Sequence, residues 1–178
     1  ASNYLCGDPT PDVYGGFGTS MVLGAFDISM QFSYSVGGLV YDSGYASLMS
    51  PPGTSTGTNI HRNMLFAWTP ENKEAPIPRF QYLDENIAAQ SDRFLTDASF
   101  LNFQSAQIGY TLPRSLTERF NVSRMRIYVL CDNIHYWSAR KGLDPRYSFT
   151  GTTNYAVNSP VRTLSGGLSI TFWREDEL

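Results

Sequence analysis

His61 and His135 are the only two histidines of the chain, and no Ser/His/Asp or His/Glu spacing around either one points to nucleophilic or metal chemistry. The carboxylate pairs Asp84/Glu85 and Glu71/Glu74 are of the type that divides acid and nucleophile roles in glycoside hydrolysis, where the two groups stand about 5 to 9 Å apart. Adjacent residues of an extended chain point to opposite faces, however, and charges in turn-rich stretches are ordinarily just solvated. The run "YGGFG", Tyr14 to Gly18, has the glycines of a phosphate-cradling loop without its Lys-Ser/Thr ending or a following helix, so strand and turn glycines account for it. Cys6 and Cys131 lie far apart with no C-x-x-C spacing; they read as packing residues, and spacing leaves a disulfide open. No catalytic residue, metal site or cofactor is expected.

Two other sets of residues have more to offer. Asp27, Gln31, Arg126 and Tyr128 occupy the polar phase of alternating segments, where they would border water, pair across strands or narrow a lumen. Trp68, Tyr82, Trp137, Tyr147 and Tyr155 lie in or beside turn-rich segments, where a flat ring stacks on a sugar, anchors a partner protein or packs a loop.

What positions the first set is strand periodicity. In "FDISMQFSYSV", Phe26, Ile28, Met30, Phe32, Tyr34 and Val36 share one side of an extended chain, with Asp27, Ser29, Gln31, Ser33 and Ser35 on the other. A preceding run to Leu23 is joined to it by Gly24 and Ala25, a hairpin signal. In "FLNFQSAQIGYTLP" the apolar phase slips by one residue near Gln104 and Ser105, as a β-bulge allows, so that Ile108 and Tyr110 take over from Leu101 and Phe103. "MRIYVLCDNI" sets Met125, Ile127, Val129 and Cys131 on one face, and "RTLSGGLSITF" sets Leu164, Leu168, Ile170 and Phe172 in register. Five strands are expected, at about 14–23, 26–37, 99–112, 124–136 and 162–172.

Between them, residues 38–98 lose periodicity and fill with turn formers such as Pro51, Pro52, Pro76 and Pro78, far beyond the usual connection length. Within this long loop, His61 to Trp68 is expected to make a short helix, and "RSLTERFNVS" has the composition of a helical turn. Connections alternate between short and long, as in bacterial outer-membrane barrels with short periplasmic turns and long external loops.

Composition agrees with that class. Charged residues are 16% and aromatics 14%, so the chain is charge-poor and ring-rich. A net charge of -3 with no Lys/Arg cluster gives no footprint for nucleic acid. No apolar run is long enough for a transmembrane helix. Yet eleven strand residues tilted by about 45° span about 25 Å, the height of the lipid-facing band of a transmembrane barrel. On this reading Phe26, Ile28, Met30, Phe32, Tyr34, Ile108, Tyr110, Ile127, Val129, Leu168 and Ile170 face lipid, while Asp27, Gln31, Arg126 and Tyr128 face the lumen. The alternative is a soluble β-rich carbohydrate-binding module whose apolar faces pack on each other.

The segments "GDPTPDVYGGFGTSM", "FDISMQFSYSVGGLVYDSGY", "WTPEN" with "IPRF", "SDRFLTDASFLNFQSAQIGYTLP", "RIYVLCDNIHYWS", "KGLDP" and "GGLSITF" together resemble the C-terminal end of SusC/RagA-type TonB-dependent outer-membrane transporters, in order from Gly7 to Phe172. The resemblance implies an all-β, antiparallel transmembrane barrel of which these would be the last five of 22 strands. It also implies an N-terminal plug contacted by TonB, a SusD-like surface lipoprotein partner, and uptake of oligosaccharides or peptides. Residues 173–178, "WREDEL", continue past Phe172, where proteins of this family usually end, and the chain reads as a portion of a larger protein.

Overall fold

A strand with a single neighbour leaves half of its backbone groups without a partner, so alternating segments of this length must assemble side by side. They do so here. A computed structural model of the protein describes residues 4–50, 59–81, 84, 87, 89–147 and 160–172. The described residues fall into two compact units, one holding Val13–Val36, Phe100–Ser138 and the last strand, the other drawing on the residues before Val13, on Gly37–Ser99 and on those from Ala139 onward.

The first unit is an antiparallel sheet in the order β1 (Val13–Leu23), β2 (Phe26–Val36), β5 (Phe100–Thr111), β6 (Val122–Ser138) and β7 (Thr163–Phe172). Gly24, in a left-handed conformation at φ 62°, turns β1 into β2. A one-turn helix at Arg114–Thr117 and a 3-10 turn at Glu118–Phe120 link β5 to β6, and Asn121 at φ 53° closes that link. Both short links lie at one end of the sheet. At the other end Val13 pairs with Val36, Ser35 with Phe100, and Phe100 with Ser138, and every long connection departs from there.

Register puts the alternating residues in rows. Leu23, Phe26, Tyr110, Ile127 and Leu168 form one row; Met21, Ile28, Ile108 and Val129 form the next. Bulges interrupt the ladder at the phase slip. From the row Met30–Ala106–Cys131 to the row Phe32–Phe103–His135, β2 advances two residues, β5 three and β6 four. Gln104 is the extra residue of β5; in β6 Asn133 takes a left-handed turn at φ 51°. The insertion restores phase rather than ending the strand. That is why β6 runs to Ser138, two residues beyond the expected end, and pairs His135 to Ser138 with Phe103 to Phe100.

The second unit holds nearly all of the fully buried apolar residues. Ala46, Met49, Met64 and Phe94 pack into one cluster, with Tyr41, Tyr45 and Ile77 against it. Here the structure differs from the expectation of one long loop. A two-stranded sheet of β3 (Leu39–Tyr41) and β4 (Leu95–Asp97) and a helix at Ser43–Leu48 organise this stretch. The side chain of Asp42 caps the helix by accepting from the Tyr45 amide at 2.8 Å. Arg140, brought from the far side of β6 in sequence, ion-pairs with Asp42 and lies over the Tyr45 ring at 4.4 Å. Partial burial pulls the Arg140 guanidinium below its ordinary value, and the adjacent carboxylate offsets the cost of partly desolvating the cation. His61 begins a 3-10 helix, Arg62–Phe66, inside the stretch expected to be helical. Its Nδ1 accepts from the Asn63 amide, and its ring meets Tyr45 edge-on, a purely structural role.

Because Phe94 is 2% exposed at the centre of this cluster, Phe94→Ala should destabilise the second unit by about 3–5 kcal/mol. Urea unfolding of the protein, followed by Trp fluorescence, measures this loss.

Candidate functional site

The polar face of the five-stranded sheet is built from small residues and a few long ones that reach across them. The row Val22, Asp27, Gly109, Tyr128, Gly167 runs across the whole sheet, and two of its five positions have no side chain. Arg126, opposite Thr111 on β6, uses the first gap. Its guanidinium passes over Gly109 and reaches Asp27 on β2, so that one side chain ties three strands. Nε donates to Asp27 Oδ1 at 2.8 Å and Nη2 pairs with Oδ2, a two-pronged contact suited to a planar guanidinium. A Cβ on Gly109 would collide with both partners.

Tyr128 uses the second gap. Its ring lies over Gly167 of β7, where an added Cβ would overlap it, and Arg126 sits 5.1 Å from the ring centroid. Arg126 is thus held between a carboxylate and an aromatic face. Beside the pair lies a basin of about 660 Å³, bordered by Thr111, Arg124, Ser169 and Thr171 at the short-turn end of the sheet. Gln31 shares the polar face but stands farther along β2, over Gly18 and level with the bulge. The structure therefore brings Asp27, Arg126 and Tyr128 together and leaves Gln31 apart. Gly109 and Gly167, which make the cluster possible, carry no signal in the sequence by themselves, since their role depends on which residue pairs opposite.

The other face carries all eleven residues of the apolar set. Phe26, Ile108, Ile127 and Leu168 are 49%, 47%, 48% and 55% exposed, and none of the eleven is buried. Phe17, Phe32 and Phe103 stack in a line, with centroid separations of 4.9 and 4.5 Å. Tyr34 leans over Gly15, Met30 lies between Thr19 and Ala106, and Ile170 pairs with Met125. Among the described residues no second layer covers this face.

The aromatic residues expected in loops fare differently. Trp68 lies half-buried in the second unit, its amide donating to Ile77 O at 2.9 Å. Trp137, expected in or beside a long connection, lies at the end of β6, opposite Leu101 and in the row of Tyr34 on the apolar face, and meets His135 edge-on at 4.6 Å. The bulge kept β6 in phase past the point where alternation ceased to be readable. Tyr82, the side chain of Tyr147, Tyr155 and residues 173–178 lie outside the described residues. Cys6 and Cys131 are both free thiols. No three His, Cys, Asp or Glu among the described residues group as metal ligands.

No family model matches the chain. Whole-chain comparison is more informative: TonB-dependent receptor P3 of Formosa agariphila is 28% identical over 182 residues, covering 97% of this chain, and TonB-dependent receptor P26 of the same organism is 24% identical over 94% of it. A solved structure of the RagAB peptide transporter superposes with a TM-score of 0.77 at 25% identity over 93% of the chain, and the RagAB peptide importer in its open-open state with 0.75 at 25% over 92%. The chain resembles SusC/RagA-type transporters. It spans 17% and 18% of the two receptors and similar shares of the solved chains. TonB-dependent receptors and RagA-type transporters are outer-membrane proteins, in agreement with the location expected from the sequence, and these relatives are named as receptors and transporters rather than enzymes.

If the guanidinium depends on the gap at Gly109, a double-mutant cycle of Arg126→Met and Asp27→Asn should give a coupling of about 0.5–3 kcal/mol. The same cycle in a Gly109→Val background should give close to none. Unfolding midpoints in detergent supply all the values needed.

Proposed function

We propose that the chain forms part of the wall and external loops of a TonB-dependent outer-membrane importer for oligomeric nutrients, glycans or peptides. The observation that carries this reading is the uncovered apolar face. Strands of 10 to 17 residues expose a continuous band of Phe, Tyr, Ile, Leu, Met and Val on one side, while the other side carries an ion pair, amides and hydroxyls. A soluble sandwich needs a second layer on the first side; lipid chains need none. Phe26, Ile28, Met30, Phe32, Tyr34, Ile108, Tyr110, Ile127, Val129, Leu168 and Ile170 then meet acyl chains, and Trp137, at the long-connection end, joins the aromatic belt. Asp27, Gln31, Arg126 and Tyr128 border the lumen.

The outer edges of β1 and β7 have no partner among the described strands. An open edge is not tolerated within the hydrocarbon region, so further strands of the same barrel must pair with both. Closure into a 22-stranded barrel, with these strands at its C-terminal end, is the arrangement that the resemblance supports. The short links at Gly24–Ala25 and Leu112–Asn121 would face the periplasm, and the long connection over residues 38–98 would be extracellular, on the side where a SusD-like lipoprotein caps such transporters. Energy would come from TonB through an N-terminal plug. In this arrangement Arg126 and Tyr128 stiffen the wall against which such a plug rests.

The protein in its natural full-length form should partition with outer membranes, require detergent for extraction and migrate faster on gels before heating than after. Recovery in the aqueous fraction without detergent would overturn the barrel. Within it, Met30→Arg should cost about 2–4 kcal/mol, while Gln31→Arg on the neighbouring wet face should cost close to nothing. Equal losses, measured by unfolding in detergent micelles, would contradict the assignment of faces.

A further inference from the structure

The second unit contains a cleft of about 350 Å³, enough for one large side chain, between the stretch Met64 to Pro70 and the stretch Arg79 to Phe80. Its walls are fixed by backbone bonds. Trp68 N donates to Ile77 O at 2.9 Å, Ala67 N to Met64 O at 3.1 Å, and Asn72 N to Thr69 O at 3.0 Å, while Met64 is anchored in the core. The cleft is therefore preformed, as ligand pockets usually are.

Its lining is unusual for a packed loop. Leu65, next to the buried Met64, is 84% exposed, and Phe80 is 38% exposed. The ring of Trp68 and the ring of Pro70 complete an apolar surface with one cation on its rim, Arg79. Among the described residues nothing pairs with that guanidinium. A sugar stacked on Trp68 would need several hydrogen-bonding groups around its hydroxyls, and the lining offers few. Its side-chain donors are the Arg79 guanidinium, the Trp68 indole and the Thr69 O–H, whose oxygen accepts from the Asn72 amide at 3.1 Å, and the lining holds no carboxylate or side-chain amide to accept from sugar hydroxyls.

We propose that this cleft is a peptide subsite that takes a bulky apolar side chain, with the adjacent carboxylate on Arg79, as the C-terminal residue of an imported peptide presents them. An apolar wall beside a single guanidinium matches that combination and does not match a neutral glycan. The assignment rests on the importer reading and narrows it from glycans or peptides to peptides.

Calorimetric titration of the full-length protein in detergent tests it, with a hexapeptide ending in Leu, the same peptide as its C-terminal amide, and a neutral glucose hexasaccharide. The free acid should bind at least tenfold more tightly than the amide, and the hexasaccharide should give no heat. Arg79→Gln, at an exposed position outside the core, should lower the acid to the level of the amide and leave the amide unchanged; Trp68→Ala should weaken both. Equal binding of acid and amide, indifference to Arg79→Gln, preference for the hexasaccharide, or no binding of either peptide would overturn the subsite. A protein that fractionates with outer membranes and imports nutrient while showing any of these results would retain the importer reading and lose only the cleft, whereas aqueous recovery would remove the importer reading itself.

Discussion

Everything in the sheet follows from the need to satisfy backbone N–H and C=O groups between strands while one face is left without cover by any described residue. Within the five-stranded sheet β2 and β5 are bonded on both sides, and β6 is bonded on both sides from Arg126 to Asp132. Such a ladder leaves side chains free to serve two solvents at once, because the period of two divides them cleanly. The two faces are accordingly different in kind. One is made of ring and branched aliphatic groups in contact with each other across strands; the other is made of glycine, serine and amide positions over which a few long polar side chains lie.

Glycine has two distinct uses here. Gly24 supplies a left-handed turn. Gly109 and Gly167 supply room: by withholding a side chain they let Arg126 and Tyr128 lie flat across neighbouring strands instead of standing into the space above the sheet. The ion pair of Arg126 with Asp27 joins positions 99 residues apart in sequence, and it does so at the end of the sheet where the links are short. Held flat, these side chains brace the polar wall and keep it thin.

Much of the sheet was legible in the sequence because alternation is a local signal. The five long strands, their separation into two faces and the slip at Gln104 can all be read along the chain, and the resemblance to SusC/RagA-type transporters holds on comparison. Pairing between strands is not local. The contact of Arg126 with Asp27 depends on Asp27 facing Gly109 and on Gly109 facing Tyr128, and the place of Trp137 depends on a bulge that needs β5 beside β6 to be defined. The stretch between β2 and β5 was opaque for another reason. Its core takes Val40, Ala46, Met49, Met64 and Phe94 at irregular intervals, so no period marks them, and prolines and glycines gave it the look of a connection without a core.

The excursion that carries that core leaves the sheet after Val36 and returns at Phe100, which pairs with Ser35. Exit and re-entry are thus next-door rungs of a single ladder. A segment tethered in this way can be lengthened, shortened or exchanged wholesale without shifting any strand against its neighbour, because the rungs close whatever hangs from them. The architecture thus joins a palisade, where a one-residue slip would turn every side chain inside out, to a graft whose replacement leaves that register intact.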